Sequence, residues 1–98
     1  MRLREFQLKI DAMYGEHDRR RGIDGTYRWL VEEIGELARA LRRQDPPALQ
    51  EEISDVLAWT VSLASLCGVD VEAAVARYAN GCPKCGKVPC TCRSESQP

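Results

Sequence analysis

The chain has 98 residues, with 14 Lys and Arg set against 15 Asp and Glu for a formal net charge of −1. That is room for one small domain, without the basic excess of a dedicated nucleic-acid binder. Its 44% apolar and 30% charged residues make a globular composition, and no apolar run reaches the ~20 residues of a membrane-spanning helix.

The N-terminal MRLREFQLKIDAMYGE carries scattered charges and no apolar stretch, so a secretory signal is not expected and the cytoplasm is the expected compartment. The same stretch predicts a first helix from about Leu3 to Tyr14. Leu3, Phe6, Ile10 and Met13 recur at helical spacing along one side. Gly15 is the expected stop, and residues 16–25 read as a polar linker. Asp24 or Thr26 can cap a second helix from about Thr26 to Arg43, with Leu30, Ile34, Leu37 and Leu41 as its apolar stripe.

QDPP breaks the chain. Asp45 is a candidate N-cap, and proline is tolerated in the first turn because its missing N–H has no helical partner there. A third helix is predicted from Pro46 to Cys67, ending at Gly68, with Leu49, Ile53, Val56, Leu57, Thr60 and Leu63 inward. Cys67 reads as a small buried hydrophobe. Asp70 caps a short fourth helix with Val71, Ala74, Val75 and Tyr78 on its buried side, and Gly81 ends it. The expected architecture is all-α: about four helices over residues 1–81, a cysteine-rich element at 82–92 and a disordered tail at 93–98. A core this small implies self-association.

The acids are unevenly placed. Seven of the fifteen lie between Glu32 and Asp55. Glu33 and Glu36 are three apart on one helix, and Glu52 and Asp55 are three apart on the next, so each pair shares a face. Trp29, Val56, Trp59 and Leu63 flank those faces, which is not the setting of a solvated charge stripe. Packed antiparallel across QDPP, the helices bring four carboxylates together. Like charges at close range raise one another's pKa, and a hard divalent cation relieves the repulsion. Oxygen-only ligation suits Mg²⁺ or Mn²⁺, and so phosphate-ester or anhydride chemistry. A di-iron carboxylate centre would need Glu-x-x-His pairs, and the single histidine, His17, stands in the polar stretch without one.

EE-x-x-E, fifteen residues and E-x-x-D, with TYRWLVEEIGELARAL and EEISDVLAWTVSLA around them, resemble the MazG-like all-α nucleoside triphosphate pyrophosphohydrolases over about Leu3 to Asn80. The resemblance implies Mg²⁺-dependent cleavage of a nucleoside triphosphate, or its deoxy form, to the monophosphate and pyrophosphate. By it, Glu33, Glu36, Glu52 and Asp55 match the metal ligands, and Glu32 matches the leading acid. Glu32 or Glu36 would take the proton from the attacking water. Arg77 and Asn80 are the nearest equivalents of the family's phosphate-binding side chains, and Trp29, Phe6 and Tyr14 are candidates for contact with the base. The resemblance implies a nucleotide substrate; the small core adds other copies of the chain as expected partners, in a homodimer or tetramer, and the apolar runs and charge balance make a membrane or nucleic-acid partner unexpected.

The tail CPKCGKVPCTC places Cys82, Cys85, Cys90 and Cys92 close together, and Cys-x-x-Cys-Gly is a zinc-knuckle turn. One structural Zn²⁺ on four thiolates is favoured here over disulfides, an iron–sulfur centre or an unligated tail. The rival to an enzyme is a helical oligomerisation or binding module that uses this knuckle to recognise a protein or nucleic acid.

Overall fold

The structure, a computed structural model, describes residues 1–92; the expected disordered tail, 93–98, lies outside the described residues. Among the described residues there are three α-helices instead of four: α1 (Leu3–Arg43), α2 (Pro46–Leu66) and α3 (Val71–Val75), the last continued by a 3₁₀ turn, Ala76–Tyr78. The described residues contain no strand. Among the described residues no single helix is long and apolar enough to cross a membrane.

The difference from the expected four lies in α1. The chain does not stop at Gly15 or form a linker over 16–25. Gly15 is buried inside the helix, and Asp11 and Arg19 form an ion pair of 3.6 Å across it. A Cβ there would sit 2.7 Å from the Asp11 carboxylate, so the missing side chain makes room for that contact. The break falls at Gly22, with φ 84° and ψ 174°. This region of backbone space is open essentially to glycine alone. A straight helix of 41 residues would be ~60 Å long, yet the longest dimension of the chain is 42 Å, because α1 turns at Gly22 into two arms. Neither expected cap holds a helix start. Thr26 is fully buried and accepts from the Arg21 guanidinium at 3.2 Å, and Asp24 pairs with Arg28 at 3.4 Å.

The other boundaries follow the sequence. Gln44 closes α1 in the left-handed conformation, φ 53°. Asp45 caps α2 by accepting from the Ala48 N–H at 3.4 Å, with proline in the first turn. Asp70 caps α3 by accepting from the Glu72 N–H at 3.1 Å.

The second arm of α1 and α2 form an antiparallel hairpin, since Trp29 stacks on Trp59 while Glu33 approaches Glu52. The first arm lies over the far end of α2. Gln7 donates to Ser65 Oγ and to the Val69 carbonyl at 3.0 and 2.8 Å and accepts from the Val71 N–H at 2.9 Å, while Arg4 bonds Asp70 at 2.7 Å. Gln7 thus satisfies three backbone and side-chain groups that burial would otherwise leave unpaired.

The apolar core is thin: Ile10, Ala40 and Val61 are the buried hydrophobic residues, joined by Gln7, Asp18, Thr26 and Ser62. Several positions expected inward point out. Ile53 and Leu57 are half exposed, as are Ile34 and Leu41 of the expected stripe; Leu3, Met13 and Thr60 are also exposed. The reason is geometric. Trp29, Leu30, Glu33, Leu37 and Ala40 share the face that meets α2, while Tyr27, Val31, Ile34 and Leu41 lie on a different side of the same helix. Ala74, Val75 and Tyr78 are likewise exposed in the single chain, and so is Cys67.

Candidate active site

The hairpin places three carboxylates together near the QDPP end. One oxygen each from Glu33, Glu36 and Glu52 lies within 4.8 Å of the others. Glu33 and Glu36 come from successive turns of α1, and Glu52 comes from the facing turn of α2. Asp55, one turn further along α2, is half-buried and adds its charge to both Glu33 and Glu52. Glu33 Oε2 and Glu52 Oε2 are buried without any hydrogen-bond partner. Burial, then the Glu52 carboxyl beside it and the charge of Glu36, push Glu33 up from 4.5 to about 7. Burial foremost, with the charges of Glu36 and Asp55, raises Glu52 as well. Two partnerless buried acid oxygens amid further acids form a set of hard donors that could hold a divalent cation.

Beside Asp55 opens a cleft of about 250 Å³ lined by Tyr14, Asp18, Arg21, Asp55, Ala58, Trp59 and Ser62. Its floor is held by a chain of contacts. Asp18, 3% exposed, bonds Arg21 at 2.8 Å, and the Arg21 guanidinium lies 4.8 Å from the centre of the Trp59 ring. Trp59 in turn stacks with Trp29, centroids 5.9 Å apart and planes 12° apart. With Tyr14 and Trp59 in its lining, the cleft offers aromatic surface on which a planar ring can stack, next to Asp55.

Residues 21–84 match the family model described as the MazG nucleotide pyrophosphohydrolase domain. The chain belongs to this family. It is also 48% identical, over 58 residues, to a dATP/dGTP diphosphohydrolase from Cyanophage S-2L. That match takes in 59% of this chain and 50% of the phage protein, so the chain spans about half the length of the curated relative it matches.

Within this MazG domain the structure brings Glu33, Glu36 and Glu52 together with Asp55 beside them. Glu32 is exposed, one residue off the converging face, and is outside the cluster. Glu36 is tethered by Arg39 at 3.9 Å. Trp29 is half exposed behind Trp59, Tyr14 lines the cleft, and Phe6 is half-buried further along the first arm. Arg77 lies 5.4 Å over the Tyr78 ring and Asn80 is exposed beyond the 3₁₀ turn; neither lines the cleft. Asp18, Arg21 and Ser62 did not stand out in the sequence. The only signal for the first two was the Asp-x-x-Arg spacing of Asp18 and Arg21, which has meaning only if the polar stretch is helical.

Proposed function

We propose that this MazG-family chain hydrolyses a nucleoside triphosphate to its monophosphate and pyrophosphate, with Mg²⁺ or Mn²⁺ held by Glu33, Glu36, Glu52 and Asp55. The observation that carries the reading is the convergence of acids from two helices with two buried oxygens left partnerless. A divalent ion held there would neutralise charge on the polyphosphate and acidify the attacking water. The protein's part is to hold four carboxylates on rigid helical turns, so that little reorganises as charge develops. Of the two acids considered as base, Glu36 stands in the cluster, where it would be placed to take the attacking water's proton, and Glu32 stands outside it. The cleft along Trp59, Arg21 and Tyr14 receives the nucleoside. The phage relative is named for dATP and dGTP, which supports purine deoxynucleoside triphosphates as the first substrates to offer.

The working form is a homo-oligomer. Tyr27, Val31, Ile34 and Leu41 form an exposed apolar face on α1, and Ile53 and Leu57 form another on α2. Contiguous apolar surface of this kind on a chain with so thin a core supports burial against a second copy.

The test is product analysis with dATP, dGTP and the other common nucleotides, with Mg²⁺ or Mn²⁺ and with neither. Equal amounts of monophosphate and pyrophosphate are expected, appearing only with metal and abolished by Asp55→Asn. Release of orthophosphate, or no turnover of any nucleotide, overturns the proposal.

A further inference from the structure

The cysteine tail is untouched by the carboxylate chemistry, and three of its four cysteines lie beyond the family match. Its sulfur atoms are not scattered. Sγ of Cys82 lies 3.8 Å from Cys92 and 3.6 Å from Cys90, Sγ of Cys85 lies 3.9 Å from Cys90, and all four are within 4.8 Å of one another. Disulfide bonding would require ~2.05 Å. A tetrahedron of sulfurs around an ion at ~2.3 Å has edges of ~3.8 Å, close to those three separations.

The backbone is arranged for thiolates as well. The Lys84, Thr91 and Cys92 N–H groups donate to the sulfurs of Cys82, Cys85 and Cys90 at 3.4, 3.4 and 3.3 Å. Such donors lower the cost of negative charge on sulfur and orient the ligands. The loop closes on itself: Gly86 N–H donates to the Cys82 carbonyl at 2.7 Å, and Cys82 N–H donates to the Lys87 carbonyl at 3.1 Å. At Gly81, φ 120°, a Cβ would lie 2.9 Å from the Gly86 carbonyl oxygen, so only glycine permits that approach. The segment's one large hydrophobe, Val88, is 83% exposed, so it contributes little buried apolar surface. Four thiols face one another with no core to order them.

We propose that Cys82, Cys85, Cys90 and Cys92 hold one Zn²⁺ as a closed tetrathiolate centre that folds residues 82–92. Four protein ligands leave no open position, so the centre is structural and not catalytic. Zinc stands above ferrous iron in affinity for such a site, and its filled d shell accepts tetrahedral thiolate ligation without redox change. Binding converts four thiols to thiolates and releases protons to solvent, with no change of oxidation state. Lys84 and Lys87 offset the −2 charge of the assembled centre.

The full chain, produced with both zinc and iron in the medium and purified under reductant, tests this by metal analysis and by titration of the thiols with a mercurial while released zinc is followed. About one zinc per chain is expected, released as the four tail thiols react, while the exposed Cys67 reacts without releasing metal. Cobalt exchanged into the protein should give the visible bands of tetrahedral tetrathiolate coordination, and Cys82→Ser/Cys85→Ser should lose both the zinc and those bands. Removal of zinc should collapse the amide resonances of residues 82–92 and leave those around Glu33 and Glu52 in place. Iron in place of zinc, four thiols that titrate freely with no metal, or disulfide-paired cysteines in the reduced preparation would each overturn the proposal.

Discussion

Replacing Glu33 with Gln should stabilise the metal-free protein, and the gain should depend on pH in a set direction. The Glu33 carboxyl titrates at about 7 in the folded chain and ordinarily at 4.5. The folded state therefore holds this proton more tightly than the unfolded state. Below about 4.5 both states are protonated and the acid is harmless. As pH rises from there to about 7 the unfolded chain releases its proton first, and stability falls; above about 7 the penalty is constant. At ~1.4 kcal/mol per pH unit that interval corresponds to at most about 3.5 kcal/mol. Water at the open edge of the site screens the charges, which brings the expected figure to about 1–2 kcal/mol. The assay is urea unfolding of wild type and Glu33→Gln at equal protein concentration in chelator, near pH 5 and near pH 8. The variant should be more stable by that amount near pH 8, and the difference should shrink near pH 5. Added Mn²⁺ should reverse the order, raising the melting temperature of wild type far more than that of the variant, because an ion that binds only the folded state stabilises it. A variant no more stable than wild type near pH 8, or equally responsive to Mn²⁺, would refute the carboxylate cluster as a metal site.

Gly22→Ala should cost about 1–3 kcal/mol, because φ 84° and ψ 174° are closed to a side chain even though open space surrounds the position; unfolding measurements check this, and a neutral result would mean that α1 does not turn there. The Arg4 guanidinium beside Asp70 holds that carboxyl below its ordinary range. That contribution is present above the unfolded carboxylate pKa and is lost as pH falls through the depressed value, so Arg4→Ala should flatten the acid limb of the stability curve; an unchanged limb would show the pair to be inert. Ile34→Glu together with Ile53→Glu should shift the sedimenting species toward monomer, and an unchanged oligomer would move the contact surface elsewhere.

How much of this was legible beforehand is seen in particular residues. The two carboxylate pairs could be found because three-residue spacing on a helix fixes a shared face whatever the rest of the chain does. QDPP could be read as a tight reversal because proline and an Asp cap restrict the backbone locally. From those two features the facing of Glu33 and Glu52 follows. The polar stretch over 16–25 misled because Arg19, Arg21 and Asp18 look like solvent-exposed charge, and Gly15 like a stop. Asp18 and Arg21 instead satisfy each other against Trp59, which only packing reveals.

The sequence by itself determined the all-α class, the caps at Asp45 and Asp70, the acid set and the cysteine tail, since each rests on spacing or on local backbone chemistry. Tertiary structure alone decided which apolar face meets α2, that Glu32 stands outside the cluster, and that the first arm folds back to build the cleft. The physical reason is that the second arm of α1 carries apolar residues on two sides. Periodicity marks both, and only the position of a partner helix, set here by the turn at Gly22 and the reversal at Gln44 and Asp45, selects which one is buried.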